Sequence, residues 1–189
     1  MNYTDDIEAA LRVLKDGGVI LYPTDTVWGL GCDPTNKDAV ERIFRIKKRG
    51  ENKSLIILVN GTDMLKHYVV NMPEAVFSMT LPANKPLTII YPEGRNLAAG
   101  VCSEDGSVGI RICSEPFCKD LISDFGKPVV STSANTSGSE PPSVFEEIEK
   151  SIIASADYVV KYRRDDIRRC PPSSIMKAEN DGSVKIIRP

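Results

Sequence analysis

Histidine is almost missing from this sequence: His67 is the single one among 189 residues. A serine–histidine triad or a histidine-built metal site therefore has nearly nothing to draw on. Cysteine is sparse too. Cys32, Cys102, Cys113, Cys118 and Cys170 are odd in number, widely spread and without a C-x-x-C spacing, which argues against a zinc site and against a disulfide framework. Aromatic residues make up 6% of the chain, with Trp28 the sole tryptophan, few for a base-stacking surface. Apolar runs all fall short of the roughly 20 residues that span a bilayer. The start of the chain, Met1 to Asp6, is acidic and carries no apolar signal core, so a cytoplasmic location is expected. An excess of positive charge is also lacking, the net charge being −2.

What is present is a length suited to one domain, taken here as residues 1–189, and a concentration of cations in two places. Arg42, Arg45, Lys47, Lys48, Arg49 and Lys53 form one cluster; Arg163, Arg164, Arg168 and Arg169 form another. Local basic density on a nearly neutral chain suits an anion site better than a nucleic-acid coat. Apolar periodicity predicts helices over 5–16, 35–48 (with Thr35 as its cap), 117–125 and 144–156, with shorter ones near 63–69 and 74–79. Strands are predicted at 19–22, 54–59 (buried on both faces), 87–91, 108–112, 128–131, 158–161, 174–178 and 183–187. Helices alternating with strands, then a β-rich end, indicate an α/β fold with a mixed sheet.

Three stretches are unusual. Tyr22-Pro23-Thr24-Asp25-Thr26-Val27-Trp28-Gly29-Leu30-Gly31 follows an apolar run and combines hydroxyls, a carboxylate and glycines. Pro23 lacks the N–H a central ladder uses, so Thr24, Asp25 and Thr26 project from a strand end, either as a tight turn or where α/β sheets place ligands. Ser131-Thr132-Ser133-Ala134-Asn135-Thr136-Ser137-Gly138 is a polar loop after another apolar strand. Its hydroxyls and N–H groups suit an oxyanion as well as solvent; it is neither a Walker A loop nor a G-x-S-x-G elbow. Arg111 lies inside a predicted strand and should meet a carboxylate or phosphate, from the protein or from a ligand. Lys47 continues the apolar stripe of its helix, so its ammonium must leave the core at the helix end, toward a ligand or simply along the helix dipole.

Together with Lys53 and Pro172-Ser173-Ser174-Ile175, these segments resemble, in order, the YrdC-type family, the threonylcarbamoyl-AMP synthases, from about Gly18 to Arg188. The resemblance implies a strongly twisted mixed sheet with flanking helices and a concave basic cavity. It implies a nucleotidyltransferase that makes threonylcarbamoyl-AMP and pyrophosphate from L-threonine, bicarbonate and ATP, for a partner transferase complex acting on tRNA. Carried over by position, Thr26, Arg111, Ser131 and Ser173 hold L-threonine. Arg49, Lys53, Ser107, Ser133, Asn135, Ser143 and Arg188 surround ATP, and Lys47 and Arg49 stabilise phosphate charge. Mg²⁺ is expected to arrive with ATP, without a protein metal site. Some members carry a histidine where this chain has Leu58, and many have Thr and Asp where it has Ser174 and Lys177. The competing expectations are an RNA-binding module lacking adenylation activity, a carbamoyl-transfer relative acting on another acceptor, and a non-catalytic paralogue.

Overall fold

The computed structural model describes residues 3–48, 54–71, 76 and 85–189. Among these, strands β1 (Ile20–Tyr22), β2 (Gly29–Gly31), β3 (Ile56–Val59), β4 (Leu87–Tyr91), β5 (Val108–Ile112), β6 (Val129–Ser133), β7 (Tyr158–Val159), β8 (Ser174–Ala178) and β9 (Val184–Arg188) form one sheet ordered β7-β1-β2-β6-β3-β5-β4-β8-β9. The pairs β7–β1, β3–β5 and β4–β8 are parallel and the remainder antiparallel, which gives the mixed α/β sheet expected from the alternating pattern.

Two-residue periodicity sends alternate side chains of the central strands into two separate cores. Ile57, Val59, Ile110 and Val130 pack with Val40, Ile43 and Phe44 of α2 (Lys37–Lys47). On the opposite face Leu58, Val129, Ile20 and Tyr22 pack with Ile7, Ala10 and Leu14 of α1 (Thr4–Lys15), and with Phe117, Leu121 and Ile122 of α4 (Pro116–Phe125). The uniformly apolar run before Asn60 is thus buried on both faces, as expected for residues 57–59, whereas Ile56 is only half-buried because it borders a cavity. Helix α3 (Thr62–Lys66) is a short connector.

Several boundaries differ from the sequence expectation. Thr35 does not cap α2, since its N–H and hydroxyl donate to Asp33 Oδ1 at 2.8 and 2.7 Å. Asn36 is the cap, accepting from Ala39 N at 3.2 Å. The helix expected over 144–156 breaks into a 3₁₀ turn, Phe145–Glu147, and α5, Lys150–Ser155. Ile148 and Glu149 between them adopt extended ψ values of 126° and 134°, and the Glu147 carboxylate accepts from Ser143 N and Val144 N. The helix expected near 74–79 lies outside the described residues, Val76 excepted. Strand β6 runs on to Ser133, past the expected end at Ser131. The largest difference is β2. The glycine-rich end of the first motif is itself a strand, folding back on β1 with Tyr22 opposite Gly29 and Ile20 opposite Gly31. Gly31 allows it: a Cβ there would meet Tyr22 Cε1 at 2.6 Å and the Val130 carbonyl at 2.9 Å.

Candidate active site

The β1–β2 hairpin turns through residues 23–28 and lifts a polar turn over the sheet. Thr24 ties it internally: Thr26 N donates to Thr24 Oγ1 at 3.1 Å, and Thr24 Oγ1 donates to the Val27 carbonyl at 2.7 Å. The two threonine hydroxyls lie 3.1 Å apart. A hydroxyl has one proton, and that of Thr24 is directed at Val27. Thr26 is therefore the donor of the pair, which leaves the lone pairs of its oxygen to accept.

Arg111 on β5 and Asp25 on the turn meet beneath it, Nη2 to Oδ1 at 3.1 Å, each side chain 5% exposed. The pair is close but not aligned as a hydrogen bond; Arg111 Nε and Asp25 Oδ1 are both buried without one. Asp25 Oδ2 accepts from Ser114 N at 3.4 Å. The charge inside the strand thus has a protein carboxylate as neighbour, while one guanidinium donor stays unused. The N-terminus of α4 supports the same turn from below. Cys118 Sγ donates to the Pro23 carbonyl, and Glu115 caps the helix by accepting from Cys118 N. Burial raises the Glu115 carboxyl above its usual range, against the opposing pull of that N–H and of Arg163.

Thr26, Arg111, Ser131, Ser133, Ser173 and Arg188 line one cavity of about 230 Å³, with Gly29 and Ile56 in its wall. Ser131 and Ser133 share a face because β6 continues through both. Ser173 is fixed twice: its hydroxyl is 2.8 Å from Thr88 Oγ1, and its carbonyl accepts from Arg188 Nε at 2.9 Å. A wider cleft of about 810 Å³ runs along α2 past Lys37, Glu41, Arg45 and Lys48. Among the described residues it contains none of the site residues expected from the sequence, and the smaller cavity, where several of those residues converge, is the better candidate.

The other expected site residues fall elsewhere. Lys47 is 3% exposed, and its ammonium donates to the Ser133 carbonyl, to Asn135 O at 2.8 Å and to Asn135 Oδ1 at 3.5 Å. The expectation that it emerges toward a phosphate is corrected in this respect: the β6 loop carbonyls surround the helix end first. Asn135 completes the brace by donating to the Thr136 and Ser139 carbonyls at 3.0 and 2.6 Å. Ser107 is buried at the start of β5, where its hydroxyl donates to Asp105 at 2.6 Å. That bond holds the Asp105 carboxyl below its usual range. Ser143 gives its N–H to Glu147 at 2.8 Å. None of Lys47, Asn135, Ser107 and Ser143 lines the small cavity. Arg49 and Lys53 lie outside the described residues. Asp25, Thr88 and Gly29 are site residues that sequence reasoning did not assign. For Asp25 the signal was present, an acid flanked by two threonines in a chain with an unexplained strand arginine.

The second basic cluster is paired within the protein, with Arg163 drawn inward and Arg168 and Arg169 left exposed. Arg163 Nη1 donates to the Thr24 carbonyl at 2.9 Å and Nε to Asp166 at 2.9 Å. Arg164 donates to the Val159 and Val160 carbonyls and covers the Phe145 ring at 5.0 Å. Arg168 pairs with Asp166 at 2.8 Å and Arg169 with Glu147 at 2.5 Å. In the first cluster, Arg42 is bonded to Asp157 and to the Ser155 carbonyl.

The strand ends of a mixed sheet bring hydroxyls and a buried arginine around a small cavity, an α/β arrangement with the donors to hold a small molecule carrying a carboxylate. The family can be stated as well. Residues 12–189 match the Sua5/YciO/YrdC family model, described as telomere recombination, and the chain belongs to that family. It is 34% identical over 163 residues to a threonylcarbamoyl-AMP synthase of Xanthomonas campestris pv. campestris strain B100, covering 85% of this chain and 87% of that one. Escherichia coli YciO superposes with a TM-score of 0.81 at 26% identity, covering 97% of this chain and 88% of that one. P. abyssi Sua5, crystallised with L-threonine, superposes with a TM-score of 0.83 at 21% identity, covering 97% of this chain. This chain spans only 53% of that longer protein. Among the described residues no helix is long and apolar enough to cross a membrane.

Proposed function

We propose that this protein is an L-threonylcarbamoyladenylate synthase, which condenses L-threonine, bicarbonate and ATP and releases pyrophosphate. The observation that carries the reading is the convergence of Thr26, Arg111, Ser131 and Ser173 on one small cavity, with Ser133 and Arg188 at its side. Its volume of about 230 Å³ lies below the roughly 300–1,000 Å³ of pockets that engulf a drug-sized ligand. It suits the amino-acid end, with the nucleotide extending beyond. The Arg111 guanidinium, part of the cavity wall, pairs with the threonine carboxylate, and a lone pair of Thr26 Oγ1 accepts from the amine before that nitrogen becomes a carbamate. The carbamate oxygen attacks the α-phosphorus of ATP and pyrophosphate leaves. The work of this chain is alignment and charge compensation, which can supply roughly 7–11 kcal/mol of a barrier, together with exclusion of water from a labile carbamate. Mg²⁺ would reach the site on the triphosphate and compensate its charge.

Lys47 and Asn135 serve by holding the β6 loop so that Ser133 faces the nucleotide. Arg49, Lys53, Ser107 and Ser143 remain assigned to ATP on the family pattern. The product is expected to pass to a transferase acting on tRNA. Direct RNA binding without adenylation is the less favoured reading, because curated relatives are named threonylcarbamoyl-AMP synthases. The test is pyrophosphate release from ATP and bicarbonate, measured with and without L-threonine. Release that depends on threonine supports the reading; absent or threonine-independent release refutes it.

A further inference from the structure

The arginine segment after β7 carries no role in the chemistry above, yet two of its side chains reach the turn over the site, one directly and one through Phe145. It starts from a fixed base. Asp6 of α1, 5% exposed, accepts from the Tyr158 hydroxyl at 2.6 Å, from Lys161 N at 3.0 Å and from Tyr162 N at 2.8 Å. Arg163 follows with φ of +64°, the left-handed region that a non-glycine residue keeps only when its surroundings hold it there. Its guanidinium, 17% exposed, is held by Asp166 and lies 3.9 Å from Glu115. Its Nη1 bonds the carbonyl of Thr24, the residue before Asp25. Beyond it, Arg164 covers Phe145, whose ring lies 5.0 Å from that of Trp28 at the far end of the same turn. The segment then leads into Pro172 and Ser173, which wall the cavity.

We propose that Arg163 is a positioning residue for the amino-acid pocket, clasping the Thr24 carbonyl so that Asp25 meets Arg111 and Thr26 faces the cavity. The proposal rests on the function proposed above for what occupies the pocket, but not for the clasp itself. The bond is charge-assisted, with a cation donating to a carbonyl, and so among the stronger kinds. It secures a carbonyl that the six-residue turn over 23–28 cannot place by strand pairing, because the ladder of β1 ends at Tyr22. Substrate contact is not required of Arg163: its guanidinium is already engaged on the outer side of the turn, and it does not line the cavity.

The test uses Arg163→Met and Arg163→Lys in the full chain. Hydrogen exchange is followed over residues 23–28, and steady-state kinetics are run with threonine and ATP varied separately. Arg163→Met should raise exchange in that segment about tenfold and the KM for L-threonine about tenfold, as expected when a hydrogen bond to a charged group is removed. The KM for ATP should change little, the melting temperature should fall by a few degrees because Asp166 and Glu115 lose a partner, and Arg163→Lys should recover part of the exchange and KM losses. Unchanged exchange in Arg163→Met would overturn the clasp. Equal loss for threonine and ATP with a general fall in melting temperature would overturn it too, since that pattern marks a merely structural residue. If the unmodified protein shows no threonine-dependent turnover, the proposed function fails, and the exchange measurement alone decides the clasp.

Discussion

Replacing Arg111 by methionine removes one half of an ion pair whose two side chains are each 5% exposed. Asp25 is then left in the same burial with Ser114 N at 3.4 Å as its remaining bond. Breaking a buried pair by removing one partner costs about 3–5 kcal/mol. The lower end applies here, because the pair is not aligned as a hydrogen bond and sits against a cavity. About 3 kcal/mol corresponds to a fall of roughly 6–12 °C in melting temperature for a chain of this size. Asp25→Asn strands the arginine and should cost a similar amount. The double variant Arg111→Met/Asp25→Asn removes both charges and should lie within about 1 kcal/mol of the parent. Thermal and urea unfolding of the four proteins gives the coupling directly. Pyrophosphate release separates stability from function: the double variant should regain its fold without regaining use of threonine. If the two single losses simply add in the double variant, Asp25 and Arg111 are not an energetic pair and the reasoning fails.

Four further substitutions have defined outcomes. Gly31→Ala should destabilise by about 1–3 kcal/mol through overpacking, because the new methyl meets the Val130 carbonyl at 2.9 Å. Gly29→Ala, whose nearest contact is 3.3 Å, should fold normally and raise the KM for threonine; equal melting temperatures for the two would contradict this. Lys47→Met strands the Ser133 and Asn135 carbonyls and should cost about 1–3 kcal/mol, with loss of ATP use as the β6 loop loosens; unimpaired kinetics would refute the brace. For pH, the hydrogen bond from Arg168 holds the Asp166 carboxyl well below the usual range. Its contribution is present in full above the ordinary aspartate value of about 3.9 and is lost as pH falls through the lower folded value. Asp166→Asn should therefore melt below the parent at pH 7 and converge with it in strong acid; a gap that widens on acidification would be inconsistent.

The sheet was largely legible because its central strands are short apolar runs bounded by turn residues, and each of Leu87–Tyr91, Val108–Ile112 and Ser174–Ala178 falls where the pattern puts it. Strand β2 was not, since Gly-Leu-Gly has no alternation to read and pairs through backbone alone. The break at Ile148 and Glu149 was hidden for a related reason: the helical spacing of apolar residues continues across it while Glu147 bonds the chain behind it. Of the site, the residue types were readable and their assignments less so. Lys47 shows why, because periodicity tells where a side chain must leave a helix but not that two carbonyls wait there. The arginines from Arg163 to Arg169 show the converse. A run of cations reads as one surface, and only the fold reveals that Arg163 is drawn in to Asp166 and the Thr24 carbonyl while Arg168 and Arg169 stay exposed.

The walls of the cavity come from residues near 26, 111, 131, 173 and 188. During synthesis the hairpin that carries Thr26 therefore exists long before the strand that carries Arg188. Asp6 must likewise wait for Lys161 and Tyr162 to fill its lone pairs. A nascent chain that ends between Tyr162 and Ser173 already contains most residues of both cores yet has no closed pocket. Competence to bind is thus gained late and nearly at once, so folding intermediates of this chain should be compact but unable to hold substrate. Long-range pairing of this kind also makes for slow folding, and ligand added early should neither speed the collapse nor protect the first hairpin.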